Sequence, residues 1–412
     1  MSVSARCACL AWLLSAVACA QGAAPEYDGG SSSGAGSTGG SGNSGGSGGS
    51  STEGGSSGGG TPGLQVFALD RLHTVVVDID EQYIESLDSD RETRVPCTFT
   101  FDGETLENVG IRLKGGVGSL DSFAGKPAFS VKFNQFVSGL RLDGLRRLSL
   151  NNAIEDLTFL SEHIGYESHR RFGLPAPLSA HAVVTVNGEV RGLYVLVEPE
   201  TNDFLDRNFG PSNDDGNLYE GTFHEDDQSL GDFVTHPEEL DLKDEVEEGR
   251  DRADIIALGN AIRDTPDAEF PTAVGAQLDL DQYIAAFALD TVLGFRDSYH
   301  YSLNNYYLYR NPADDRFVYL PHGMDQLDYT EPGQPMGVLP QRITEIPDLA
   351  ASFASERQRA RDTYDVPDML ERIDRLETLL DGVASPDGRL ADDLDSFAHQ
   401  VDEVRQAIEA IP

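Results

Sequence analysis

The sequence has few cysteines, and this shortage limits how the fold can be stabilised. Its four cysteines are Cys7, Cys9, Cys19 and Cys97, so the segment after residue 63 contains one. A disulfide framework is therefore excluded for that segment, which must be held by a hydrophobic core. We expect Cys97, which follows Pro96 in a strand-like run, to be a small buried apolar residue.

Basic residues are also scarce. Lys and Arg together number 30 against 70 Asp and Glu, which gives a formal net charge of −40 at pH 7. A surface of this charge repels phosphate backbones and anionic lipid headgroups, so we expect no nucleic-acid partner. Long apolar runs are absent after the N-terminal segment, and any membrane attachment would have to come from that segment.

Residues 1–20 have the pattern of an export signal, because the apolar run from Cys9 to Ala18 is too short to span a bilayer. Two processing sites fit the sequence. Ala16-Val17-Ala18 before Cys19 resembles a lipoprotein box, whereas Ala18-Cys19-Ala20 fits ordinary signal peptidase.

Residues 21–63 form a Gly/Ser-rich tract, which behaves as a flexible linker because it has almost no apolar surface to bury. Such a tether suits a domain that must stand clear of a membrane. We therefore expect an exported protein, at the outer surface or in the periplasm, attached through a lipid on Cys19 and by no other membrane segment.

The remainder, residues 64–412, is predicted to be one α+β domain. Strand patterns dominate residues 64–220, with Asn187-Gly188 as a strong hairpin turn, and helical patterns dominate residues 251–412. This division predicts a sheet-rich lobe and a helical lobe, with the ligand in the cleft between them.

Candidate site residues flank a predicted β-hairpin. The apolar runs Tyr306–Tyr309 and Phe317–Leu320 are joined by a polar turn, which indicates paired strands. A hairpin brings its ends together, so Asp297, Asn305 and Asp325 are expected to share one site. Their oxygen atoms suit a divalent metal beside a catalytic acid or base, although Asp and Asn also form ordinary turns.

Several ordered motifs between residues 72 and 329 are those of one family. They are Val109-Gly110-Ile111-Arg112-Leu113-Lys114-Gly115, Lys126-Pro127-Ala128-Phe129-Ser130-Val131-Lys132-Phe133, Leu150-Asn151-Asn152, Gly192-Leu193-Tyr194-Val195-Leu196-Val197-Glu198, Asn305-Tyr306-Tyr307-Leu308-Tyr309 and Pro321-His322-Gly323-Met324-Asp325. In this ordered set the chain resembles the CotH kinase family, atypical protein kinases related to a spore-coat protein. The resemblance implies a divergent, two-lobed protein-kinase-like fold.

The resemblance also implies an activity, namely transfer of the ATP γ-phosphoryl group to Ser or Thr hydroxyls of a protein substrate, with Mg²⁺ or Mn²⁺. Such transfer requires mainly positioning and charge neutralisation. By resemblance, Asp297 is the catalytic carboxylate, and Asn305 and Asp325 are the metal ligands.

Four further residues are assigned to the nucleotide by the same resemblance. Lys114 or Lys132 would contact its phosphates, and Glu162, on the helix of the sheet-rich lobe, would orient that lysine. Arg112 is a further motif position, for which a structural role remains equally open.

Two alternatives to a protein kinase remain. Where many relatives read P-W-D-x-D, this chain reads Pro321-His322-Gly323-Met324-Asp325, so Gly323 replaces the first acid. This replacement favours a non-catalytic, kinase-like binding protein. A hydrolase would use Asp297 and Asp325 as paired carboxylates, with His300 and His322 as metal ligands.

Overall fold

In the residues that the structure describes, seven strands close into a barrel. The computed structural model describes residues 62–116, 118–243, 251–380, 382–383 and 394–411. In chain order the barrel strands are β1 (His73–Ile79), β2 (Val95–Phe101), β3 (Glu104–Lys114), β4 (Ala128–Lys132), β5 (Arg147–Asn151), β6 (Ser179–Val186) and β7 (Glu189–Val197).

The barrel strands follow the order β1-β2-β3-β4-β5-β7-β6. All neighbouring pairs are antiparallel except β1 with β6, whose parallel pairing closes the barrel. Alternate residues fill the interior, among them Val75, Phe99 and Val131. Since successive side chains of a strand point to opposite faces, the polar residues of β3, β4 and β5 lie on the outside.

A second sheet of four antiparallel strands follows in the chain. Its strands are β8 (Leu218–Glu220), β9 (Asp241–Leu242), β10 (Tyr306–Asn311) and β11 (Arg316–Pro321), arranged in the order β11-β10-β8-β9. The β10–β11 hairpin and its polar turn are present as the sequence predicts.

The helices lie between and after the strands. They are α1 (Ile84–Ser89), α2 (Ser161–Arg171), α3 (Asn202–Phe209), α4 (Ala253–Asp264), α5 (Phe270–Gly275), α6 (Leu280–Leu293), α7 (Tyr299–Ser302), α8 (Val338–Glu345), α9 (Pro347–Thr363), α10 (Val366–Leu380) and α11 (Leu394–Glu409), with 3₁₀ turns at Glu81–Tyr83 and Gln228–Gly231. Helix α6 is buried along almost its whole length and packs against α9.

The ends of α6 show why its sequence forms a helix there. The side chain of Asp279 accepts a hydrogen bond from the backbone N–H of Gln282, which caps the first turn. Gly294 ends the helix in the left-handed conformation, with φ of 68°. The sequence pattern predicts a helix with its cap at Asp279 or Asp281 and its end at Gly294; the structure has the cap at Asp279, and these ends determine where the loop that contains Asp297 begins.

The predicted mixture of strands and helices is confirmed, but its arrangement was not foreseen. Closure of the strands into a barrel depends on the pairing of β1 with β6, whose register joins His73 to Ala182. Helices α5, α7 and α8 were not predicted; each is short, with at most eight residues.

Cys97 is buried in the barrel as expected, and burial raises the pKa of its thiol to about 12. The predicted export signal and the linker up to residue 61 lie outside the described residues. Within the residues that the structure does describe, the helices are too short or too polar to cross a bilayer.

Candidate active site

The loop after α6 holds Asp297 in a set of hydrogen bonds. Its carboxylate accepts them from Oγ of Ser302 at 2.9 Å, from Nδ2 of Asn304 at 3.3 Å and from Nδ2 of Asn305 at 2.6 Å. Burial nevertheless raises the pKa of Asp297, although these donors act to lower it. Helix α7 makes this arrangement possible, because it returns the chain so that residues 302 to 305 face Asp297.

The β10–β11 hairpin brings Asn305 beside the segment that follows β11. The backbone N–H of His322 donates to the carbonyl of Asn305 at 3.2 Å. A Cβ atom on Gly323 would lie 2.6 Å from Oδ1 of Asn305. The amide of Asn305 therefore directs its nitrogen to Asp297 and its oxygen towards Gly323, two residues before Asp325.

Asp325 lies in a cluster of carboxylates. Burial, and then the nearby charges of Glu162, Glu155 and Asp156, raise the pKa of Asp325 well above its usual range. Burial and the charge of Asp297 likewise raise the pKa of Glu155. Acidic groups thus extend from Asp297 through Glu155 to Asp325 and Glu162, and a cation placed among them would relieve their repulsion.

One member of this cluster has a structural role. Asp156 accepts hydrogen bonds from the backbone N–H of Thr158 at 2.9 Å and from that of Ser161 at 2.8 Å. The bond from Ser161 satisfies a backbone donor in the first turn of α2. The sequence pattern predicts a cap at Asp156 or Thr158, but α2 begins later, with Leu160 at the N-cap position and no side-chain cap bond; Thr158 instead accepts from the backbone N–H of Leu160.

Lys114 and Glu162 are joined through an asparagine. Nζ of Lys114 donates to Oδ1 of Asn151 at 2.9 Å, and Nδ2 of Asn151 lies 2.8 Å from each carboxylate oxygen of Glu162. Glu162 is only 3% exposed. Burial raises its pKa, although Asn151 and the charge of Lys114 act in the opposite direction.

The two candidate lysines lie at opposite ends of the β3–β4 pair. Lys114 pairs with Ala128 across the strands, while Lys132 pairs with Gly110. Four residues of a strand span about 13 Å, so the two ammonium groups are anchored far apart. Of the two, Lys114 is the lysine that the structure brings to Glu162.

Arg112 lies between those two ends, on the outer face of β3. Its guanidinium donates to the backbone carbonyl of Arg91 at 2.9 Å and lies 3.6 Å from the exposed carboxylate of Glu92. Its polar contacts in the described part of the chain are with Arg91 and Glu92, and not with Asp297, Asn305 or Asp325.

A cavity of about 470 Å³ borders the acidic cluster. Its lining includes Glu155, Asp325 and Gln326, together with Gln400 and Glu403 of α11. The cavity gives a ligand access to Asp325.

The described residues contain no group of three or more His, Cys, Asp or Glu side chains arranged to hold a metal ion. Mg²⁺ is commonly held by one or two carboxylates together with substrate phosphates, so a complete protein cage is not required. Asp325, which lies among other carboxylates, and the oxygen of Asn305 fit that partial type of site.

The two histidines considered for a hydrolase have other partners. His300 is fully buried, lies 3.1 Å from Asp290 and stacks on Phe287. Nδ1 of His322 lies 2.9 Å from Glu200. Burial acts to lower the pKa of His322, but the surrounding carboxylates outweigh it and raise the pKa.

A family model described as CotH kinase protein matches residues 111–329, just over half of the chain. The chain belongs to the CotH kinase family. This confirms the resemblance inferred from its motifs, and the matched segment includes every predicted site residue. The CotH match begins within β3, so β1 and β2, which complete the barrel, precede it. A search of curated proteins gave no match.

Sequence reasoning missed two residues of this candidate site, Asn151 and Glu155. Asn151 was recognised as part of a motif, but not as the link between Lys114 and Glu162. Glu155 directly precedes Asp156 in the polar segment after β5. A signal was available, since polar residues that follow a strand are the same feature that singled out Asp325.

Proposed function

We propose that this protein is an atypical protein kinase, which transfers the γ-phosphoryl group of ATP to Ser or Thr hydroxyls of a protein in the presence of Mg²⁺ or Mn²⁺. Membership of the CotH kinase family supports a kinase-type transferase. The observation that carries the proposal is the hydrogen bond between Asp297 and Asn305, whose amide oxygen faces Gly323, two residues before Asp325. On this proposal the barrel and the helical part act as the two lobes of a kinase-like fold.

Asn305 and Asp325 would hold the metal ion, which when bound neutralises phosphate charge. The orientation of Asn305 suits this role, because its nitrogen is engaged by Asp297 and its oxygen remains on the side of Gly323. Lys114 would contact the phosphates, and Asn151 and Glu162 limit the positions of its ammonium group.

Asp297 would position the acceptor hydroxyl and accept its proton during transfer. A raised pKa makes its carboxylate a better proton acceptor, and its three hydrogen bonds hold it in one orientation. The transferred phosphoryl group leaves ADP and forms a new bond to the hydroxyl oxygen.

The alternative is a kinase-like protein that binds a partner without catalysis. The feature that favours it is Gly323, where many relatives carry an acid. The two functions are separated by incubating the purified protein with labelled ATP and Mg²⁺ or Mn²⁺. Incorporation of label into protein supports the kinase. Absence of incorporation contradicts it, whether or not the protein retains the nucleotide.

We further propose export and lipid attachment at Cys19, on the basis of the N-terminal signal pattern and the Gly/Ser-rich linker. Mass spectrometry of the mature N-terminus tests this directly. A diacylglycerol-modified Cys19 supports anchoring, and an unmodified N-terminus at residue 21 would indicate ordinary secretion.

A further inference from the structure

Helices α2, α6 and α7 meet at a buried carboxylate, that of Asp290 on α6. Its Oδ1 lies 3.0 Å from Nε2 of His169 on α2, and its Oδ2 lies 3.1 Å from Nδ1 of His300 on α7. All three side chains are fully buried. Each oxygen of Asp290 therefore faces a different helix, and we call these three residues the His-Asp-His bridge.

The hydrogen-bonding partners of His169 determine its charge. Its Nδ1 lies 2.9 Å from the backbone carbonyl of Gly165, which can only accept a hydrogen bond, so Nδ1 carries a proton. The carboxylate of Asp290 also only accepts, so Nε2 carries a proton as well. His169 is therefore an imidazolium, and its positive charge compensates the buried negative charge of Asp290.

His300 completes the bridge as a neutral ring. Burial lowers the pKa of His300, although Asp290 acts in the opposite direction. Burial acts to raise the pKa of Asp290, but the two histidines outweigh it and lower the pKa, so the carboxylate stays ionised. The single proton of His300 lies on Nδ1, because a lone pair there would be repelled by the carboxylate oxygen.

At α7 the bridge adjoins the donors that hold Asp297. Ser302, Asn304 and Asn305 all donate to the Asp297 carboxylate, and all three follow His300 within the next five residues. Helix α7 has only four residues, too few for its own hydrogen bonds to fix its orientation. The contact of His300 with α6 therefore helps to set the direction from which these donors reach Asp297.

At α2 the bridge adjoins the helix that carries Glu162. His169 follows Glu162 by seven residues, which places the two side chains about two turns apart on the same face of α2. Glu162 is linked through an asparagine amide to Lys114. Asp290 thus joins the helix that orients Lys114 to the helix that orients Asp297.

We propose that Asp290 and His300 are positioning residues, which act through α7 to hold the Asp297 carboxylate in register with the phosphates at Lys114. Neither side chain touches a substrate, because both are fully buried. A misplacement of about 1 Å in a reacting group can cost about 100-fold in rate, so the bridge acts on the transfer step and not on ATP binding. For this kinetic consequence, the inference rests on the proposed phosphoryl transfer.

The kinetic test uses the full-length protein with labelled ATP and Mg²⁺. His300→Leu removes the N–H that faces Asp290, and it should lower the rate of label incorporation at saturating ATP by about 10- to 100-fold. The Kd for ATP, measured by calorimetry, should not change. His300→Asn should recover part of the rate, because its amide nitrogen stands in the place of Nδ1.

His163→Leu is the matched control. His163 is as fully buried as His300 and also lies at a helix, α2, but its Nδ1 lies 3.0 Å from Oγ of Ser179 on β6 and does not face α7. This variant should keep the wild-type rate. Should His300→Leu fail to fold, His300→Gln should show the same loss of rate, because its longer side chain places the amide nitrogen at Nε2 instead of Nδ1.

Hydrogen exchange gives a second readout that does not require activity. The backbone amides of residues 298–303 should exchange faster in His300→Leu than in the wild-type protein or in His163→Leu. Tyr299 and Tyr301 keep their contacts with Asp232 and Thr291, so α7 should loosen without detaching.

Wild-type exchange in His300→Leu would overturn the proposal, and so would faster exchange accompanied by a wild-type rate of transfer. A rate in His300→Asn as low as that in His300→Leu, or an equal loss in His163→Leu, would also overturn it. If the wild-type protein incorporates no label, the kinase proposal fails, whereas the exchange measurement still decides whether the bridge fixes α7. The two proposals can therefore be rejected separately.

Discussion

The side-chain amide of Asn305 occupies the space in which a side chain at position 323 would begin. A Cβ atom on Gly323 would lie 2.6 Å from Oδ1 of Asn305, and Gly323 has a φ of +55°. Both the contact and the backbone conformation select glycine here. Any side chain larger than hydrogen at position 323 is therefore incompatible with the observed position of Asn305.

We predict that Gly323→Ala impairs the site beyond the cost of backbone strain. The matched control is Gly188→Ala, because Gly188 also has a positive φ, of +79°, but an added Cβ there meets nothing within 4 Å. Both substitutions should lower the free energy of unfolding by about 1–2 kcal/mol through strain. The Gly323 variant alone should lose phosphoryl transfer. Equal loss of transfer in both variants would contradict the role given to the Asn305 contact.

Asp297→Asn is expected to reduce phosphoryl transfer by about 100- to 10,000-fold, because it removes the proton acceptor. Nucleotide binding should persist, since Asp297 is not assigned to the phosphates. Transfer is measured with labelled ATP, and binding by calorimetry. Transfer at the wild-type rate would require a different catalytic acid or base.

Asp325→Asn should abolish the increase in melting temperature that ATP and metal together produce in the wild-type protein. A ligand present at about 100 times its Kd stabilises the folded state by about 2.7 kcal/mol, which is readily detected. Glu371→Gln, which removes an exposed acid on α10, serves as the control. A full ligand effect in Asp325→Asn would exclude this carboxylate from the metal site.

The same carboxylates predict a dependence of stability on pH. The pKa values of Asp325 and Glu162 are raised above their ordinary values of 3.8 and 4.5. For such groups the unfolded chain loses protons first, so the free energy of unfolding falls as pH rises above those ordinary values, until the folded pKa is passed.

Melting temperatures in EDTA, measured from about pH 5 to about pH 8, test this dependence. The wild-type protein should lose stability over this range more steeply than Asp325→Asn. Glu371→Gln controls for the general effect of removing one negative charge from a highly acidic protein. Parallel curves for wild type and Asp325→Asn would disprove the repulsion inferred for the cluster.

Asn151→Ala should separate Lys114 from Glu162. It removes the two donor contacts to a buried carboxylate, for which we expect a cost of about 1–3 kcal/mol in the free energy of unfolding. Weaker ATP binding should accompany this loss. Asn213→Ala, which removes one amide hydrogen bond to the carbonyl of Phe209, is the control and should leave ATP binding unchanged.

A double-mutant cycle sharpens the Asn151 prediction. If Asn151 acts through Lys114, combining Asn151→Ala with Lys114→Met should weaken ATP binding no more than Lys114→Met alone. Additive losses would mean that the two residues act separately.

The sequence by itself determined the local elements and the ends of the candidate site. Apolar runs located the β10–β11 hairpin, and the cap candidates Asp279 and Asp281 together with Gly294 marked the ends of α6, since these signals act over a few residues. Together with the family motifs, they predict Asp297, Asn305 and Asp325 as residues of the candidate site.

Tertiary structure alone decided three other features: closure of the barrel, the link through Asn151 and the approach of Glu155 to Asp325. Each depends on residues that are distant in the chain, and neither strand register nor the proximity of charges follows from local periodicity. For the same reason, the sequence alone does not distinguish the surroundings of Lys114 from those of Lys132. The folded chain shows that the two lysines lie in different electrostatic surroundings.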